Sequence, residues 1–138
     1  MRIDESSGIV LLEGRGPLAF EEWEAQALAA LALPAPGRRR FLSDRRHLEP
    51  AHFFATAEGI LDFLRRHAGA LEDAQWAVLA DAGSAAYEAI RMIEEGARAF
   101  RVRVRVFIEL HTALPWLLGV YDEAEVERLE LWIAGSPR

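Results

Sequence analysis

Arginine is the residue with which this chain does its charge chemistry: the 16 basic side chains are all arginine and none is lysine. The densest group is RRRFLSDRRH, in which Arg38, Arg39, Arg40, Arg45 and Arg46 flank a short apolar stretch. Guanidinium groups hold a carboxylate or phosphate through two parallel hydrogen bonds. The commoner use of such residues is pairing with Glu or Asp on neighbouring elements. A second group, RVRVRVF at 101–107, alternates Arg101, Arg103 and Arg105 with valines. In a strand that alternation puts the arginines on one face and the valines on the other. The arginine face suits an acidic partner or phosphates, or it is the solvated side of an edge strand whose charges discourage edge-to-edge pairing. The second reading carries more weight, because the formal net charge is −6 and phosphate neutralisation underlies general nucleic-acid binding.

Other chemistries find little support. There is no cysteine, so disulfides, thiolate metal ligands and a thiol nucleophile are excluded. His47, His52, His67 and His111 do not fall at metal-ligand spacing. DAGSAAY around Ser84 lacks the G-x-S-x-G elbow and reads as strand, turn and helix cap. EEWE at 21–24 is a solvated helix face, and no glycine-rich phosphate loop is present. These readings give no catalytic residue, no metal and no cofactor, and so a non-enzymatic protein.

The elements that must position the arginines follow from periodicity. Residues 1–6 pair as an antiparallel edge with the apolar run Ile9–Leu12, with Ser-Ser-Gly as the hairpin turn. Phe20, Trp23, Ala27 and Leu31 mark a helix over 19–31, closed by LPAPG. A short strand spans 38–44 and a helix runs from about Pro50 to Ala68 with Phe53, Ala57, Ile60 and Leu64 on one face. A buried strand at 75–81 leads to a helix capped by Ser84, with Ala86, Ile90, Ile93 and Ala97 as its stripe. The arginine–valine strand and a short helix to Gly119 follow. The tail 120–138 fits a helix capped by Asp122 with Glu125 three residues on, although Leu129, Leu131 and Ile133 also alternate as a strand would. The expected fold is therefore a small α/β domain over 1–119, a mostly parallel sheet with an N-terminal antiparallel hairpin and helices packed on it. The tail packs on this domain or on a partner subunit, with Trp132 as its anchor.

VFIELHTALPWL, residues 106–117, resembles the terminal strand–helix signature of the SpoIIAA-like, STAS-related family through Val106, Phe107, Glu109, Ala113, Leu114, Trp116 and Leu117. FLSDRR and WAVLAD are looser matches to its Asp-ending and following core strands, and the element order agrees over about residues 2–119. The resemblance implies a bacterial regulatory or protein-interaction module, typically a homodimer. Two departures qualify it. The stretch DRRHLEPAHFF carries no Ser or Thr where the anti-sigma antagonists carry a phosphorylatable serine. Pro115 stands where a helix former is usual, which suits a helix that starts only near His111 or Thr112.

In open parallel sheets ligands gather beyond the carboxyl ends of the strands. The residues expected there are Asp44, Arg45, Arg46, Asp81, Ser84 and Glu109, fitting a small acidic or lipid-like ligand as an alternative function. Arg101, Arg103, Arg105 and Trp132 are the expected interaction residues. The N-terminus lacks a basic-then-apolar leader and no apolar run is long enough to span a membrane, so a cytoplasmic location is expected.

Overall fold

The computed structural model describes residues 1–13, 19–34, 38–46 and 53–135, with backbone alone at 53–55. Two strands open it, β1 (Arg2–Asp4) and β2 (Ile9–Glu13), paired antiparallel through a turn in which Gly8 takes φ +76°. Only glycine adopts that left-handed backbone without a Cβ penalty. Then follow α1 (Phe20–Leu31), β3 (Arg40–Asp44), α2 (Phe53–Arg66), β4 (Gln75–Leu79), α3 (Ala85–Ala97), a 3-10 turn at Arg98–Phe100, β5 (Arg103–Phe107), α4 (Leu110–Leu118) and α5 (Glu123–Ala134). The five strands form one sheet in sequential order, β2 to β5 parallel. This is the α/β fold expected from the alternation of elements.

Sequential strand order decides how the sheet is covered. Right-handed crossovers that all advance in one direction place their helices on the same face. Trp23 and Ala27 of α1, Ala57 and Leu64 of α2, and Ile90 and Ile93 of α3 accordingly share one core with Phe41, Trp76 and Val104 of the strands. The opposite face, with Ile9, Leu11, Leu42, Leu79 and Phe107, is left for the chain's end: Ala113, Leu114 and Leu117 of α4 and Val126, Leu129 and Ile133 of α5. The tail is thus a helix, with Asp122 accepting from the Glu125 amide at 3.2 Å, and it buries its apolar stripe on this chain's own sheet.

Several local expectations need correction. The helix at 110–118 does not start late: its N-cap is Glu109, and Pro115 is its sixth residue, well inside. Proline there removes one backbone donor. A nine-residue helix with Ala113, Leu114 and Leu117 all buried is held by packing more than by its ladder. The arginine–valine stretch is also shorter than its pattern suggests. Arg101 precedes β5 in left-handed backbone (φ +57°), and Ile108 lies past it, half exposed rather than packed with the valines. Nor is the arginine face wholly solvated, because Phe107 is buried in the second core. No helix among the described residues is long and apolar enough to cross a membrane.

Candidate functional site

β3 ends between two packed faces, and side-chain alternation sorts its last residues. Leu42 and Asp44 face α4 and α5, whereas Phe41 and Ser43 face α1 to α3, as does Arg45 just beyond the strand. The Arg45 amide continues the parallel ladder, donating to the Leu79 carbonyl at 2.9 Å. That bond drives its side chain inward, where it is 5% exposed. Among the described residues, neither Nη1 nor Nη2 has a hydrogen-bond partner.

Around this guanidinium lies a cavity of about 50 Å³ between the sheet and helices α1, α2 and α3. Its walls are largely apolar: Ile60 and Leu64 from α2, Ile90 and Ile93 from α3, and Val78 and Val104 from the strands. Trp23 and Trp76 close one side, stacked with ring centroids 5.8 Å apart, and Trp76 leans on Phe41 at 4.7 Å. Among the described residues, the polar contributions besides Arg45 come from Ser43 and Thr56. Trp76 Nε1 donates to Ser43 Oγ at 2.8 Å. This leaves the serine hydroxyl hydrogen available to an acceptor in the cavity, because a hydroxyl donates as well as accepts.

Burial lowers the Arg45 pKa to about 10, with the charge of Asp44 acting the other way. The group remains a cation at neutral pH. A buried charge without a partner costs several kcal/mol even after relaxation of its surroundings, and unsatisfied buried polar atoms are rare in folded proteins. An anion in the cavity removes that cost.

The other residues expected at the carboxyl end are placed differently. Asp44 and Arg46 hold each other: Arg46 Nε and Nη2 donate to the two carboxylate oxygens at 3.0 and 2.8 Å. The hydrogen bonds to Asp44, followed by the charges of Asp44 and Asp81, raise the Arg46 pKa. Asp81 is exposed. Its carbonyl accepts from the Ser84 hydroxyl at 2.7 Å, while that hydroxyl accepts from the Tyr87 amide at 3.0 Å and caps α3. Glu109 caps α4 through its backbone, its carbonyl taking Thr112 Oγ1 at 2.9 Å, and its side chain makes no cap bond. Asp44, Arg46 and Asp81 therefore interact with one another rather than lining the cavity, and Arg45 alone of the set lies in it. His47 and His52 lie outside the described residues, and among the described residues no three His, Asp or Glu side chains are grouped to hold a metal ion.

The expected interaction residues separate as well. Arg103 and Arg105 are exposed on β5, with Arg105 lying 5.4 Å over the Phe107 ring. Arg101 pairs with Glu72 at 3.3 Å. Trp132 is half-buried beneath Arg2, whose guanidinium sits 5.0 Å from the indole and donates to the Trp132 carbonyl at 2.8 Å. Leu131, not Trp132, is the exposed large apolar residue of α5. Ser43, Thr56 and Trp76 join the site without having been singled out for it. The signal for Ser43 was its place two residues from both Phe41 and Arg45, which puts all three on one side.

No protein-family model, no curated protein and no solved structure matches this chain. The SpoIIAA-like resemblance rests on the sequence signature at residues 106–117 with its looser supporting matches.

Proposed function

We propose that this protein is a binding domain for a small organic acid, with the ligand's carboxylate held by Arg45 and its apolar body packed among α2, α3 and the sheet. The observation that carries the reading is the buried, unpartnered guanidinium at the wall of an otherwise apolar cavity. Such a combination fits the usual anatomy of small-molecule sites, apolar walls with a few placed polar groups that fix orientation. A carboxylate accepts two parallel bonds from one guanidinium, and Ser43 supplies a third donor. A water occupies roughly 10–15 Å³ measured as space for its centre. A cavity of about 50 Å³ therefore favours a compact monocarboxylate over a long-chain lipid.

The reading concerns binding alone and assigns no reaction. It leaves the SpoIIAA-like resemblance as a proposal about ancestry and regulatory use: a domain that senses or carries an acid can pass that state to a partner. The test is a series of straight-chain monocarboxylates from formate to hexanoate, added to the purified protein and followed by thermal unfolding and calorimetry. A ligand at ten times its dissociation constant stabilises by about 1.4 kcal/mol, a rise in Tm of about 5 °C for a domain of this size. The response should peak among the shorter acids, vanish in Arg45→Met and persist in Arg46→Met. A response that survives Arg45→Met, or equal stabilisation by the matching alkylamines, refutes the assignment.

A further inference from the structure

The second unmatched positive region is the free edge of the sheet. β5 pairs with β4 on one side only. The Arg103 amide donates to the Ala74 carbonyl at 3.0 Å and the Phe107 carbonyl accepts from the Ala80 amide at 3.0 Å. In a parallel ladder the N–H and C=O of one residue point the same way, so Arg103, Arg105 and Phe107 face β4. Val104 and Val106 consequently present their backbone groups outward. One of these donors is taken, because Val106 N–H donates to Glu94 Oε2 of α3 at 3.0 Å. Among the described residues no strand lies on that side of β5, so the backbone N–H and C=O of Val104 have no strand partner.

An open groove of about 640 Å³ runs along this edge, with Arg98, Arg101, Arg103 and Arg105 set against Asp73 and Glu94. Arg101 is engaged by Glu72. Arg98, Arg103 and Arg105 form no ion pair among the described residues, although the chain has 22 acidic side chains against 16 arginines. The groove is a cationic strip beside a backbone template, on a molecule that is negative as a whole.

We propose that the β5 edge accepts an acidic, extended segment of another protein as a sixth strand. Strand addition draws affinity from backbone hydrogen bonds and specificity from alternate side chains. The sequence it selects has acidic residues at every second position, on the face that meets Arg103 and Arg105. The positions between them meet the valine side and are small or apolar. A second copy of this chain is a poor occupant. The two-fold antiparallel pairing of β5 with itself sets arginine against arginine on one face, and like charges directly opposite destabilise a sheet.

The test uses the full chain and a synthetic peptide alternating glutamate and valine over seven residues, with an alternating lysine–valine peptide and a single-stranded oligonucleotide as controls. Backbone NMR should place the largest shifts, and new protection from hydrogen exchange, at Val104. Arg103→Glu with Arg105→Glu should weaken the acidic peptide at least tenfold, with the fold checked from the same spectra. Glu94→Ala frees the Val106 donor and should tighten binding several-fold. Equal binding of the lysine peptide, preference for the oligonucleotide, shifts that map away from β5, or indifference to the double charge reversal each overturn the proposal.

Discussion

Two buried charged groups, one on each face of the sheet, are treated in opposite ways. On the α4–α5 side, Asp4 is 7% exposed and fully engaged. Arg128 Nη1 and Nη2 donate to its two oxygens at 2.9 Å each, and the Ser7 amide and hydroxyl at 3.0 and 2.6 Å. Gln75, also buried, donates to the Trp116 carbonyl at 3.0 Å. On the α1–α3 side, Arg45 is buried just as deeply, with neither terminal nitrogen bonded among the described residues. Both faces contain an arginine near an aspartate. The partnered one ties the first strand to the last helix, and the unpartnered one is where we propose that a ligand binds. On the proposed reading, partnership rather than burial or charge separates a structural arginine from a binding one.

Breaking the satisfied pair should have the largest effect. Asp4→Asn leaves Arg128 facing a neutral amide and loosens the hairpin turn, so we expect a loss of about 1–3 kcal/mol, read by urea denaturation. The same pair sets an acid limit. The guanidinium of Arg128, aided by Ser7 and opposed by burial, holds the Asp4 carboxyl well below the usual carboxylate range. A group whose pKa is depressed on folding contributes stability above its unfolded value, about 3.9, and loses it as pH falls toward the folded value. Stability should therefore decline below about pH 4, and less steeply in Asp4→Asn. Parallel acid titrations of the two proteins read the difference.

Ser84→Ala comes next. It removes the α3 cap and should cost about 1 kcal/mol while carboxylate binding stays unchanged. A binding defect in this variant would return Ser84 to the ligand site and blur the contrast between the faces. Asp122→Ala removes the corresponding cap of α5 and should cost less, about 0.5–1 kcal/mol, because α5 is also fastened by Arg128 and by the Arg2 contacts at its end.

The fold was largely legible because each element's period was intact: apolar runs for β2 and β4, and 3–4 spacing for α1 and α3. The tail was ambiguous for a physical reason. Leu129 and Ile133 fall at both helical and alternating positions, and only the exposure of Leu131 separates the two. The Asp122 cap was readable, but the need for α4 and α5 to cover a bare face appears only once the strand order is known. Pro115 misled because first-turn preference is a local rule, whereas α4 is held by its three buried residues. At the site, alternation along Phe41, Ser43 and Arg45 was written in the sequence. The burial of Arg45 was not, because arginine is almost always exposed and alternation beyond the end of a strand does not fix which side is covered.

The most direct test of the contrast is the unfolding free energy of ligand-free Arg45→Met beside wild type, with Asp4→Asn as the reference for a satisfied pair. Exchanging a buried, unpartnered charge for an apolar side chain of similar length should leave stability unchanged or raise it by about 1–4 kcal/mol. A loss of several kcal/mol, comparable to or larger than that of Asp4→Asn, would contradict the account by showing that Arg45 is already partnered within its own chain.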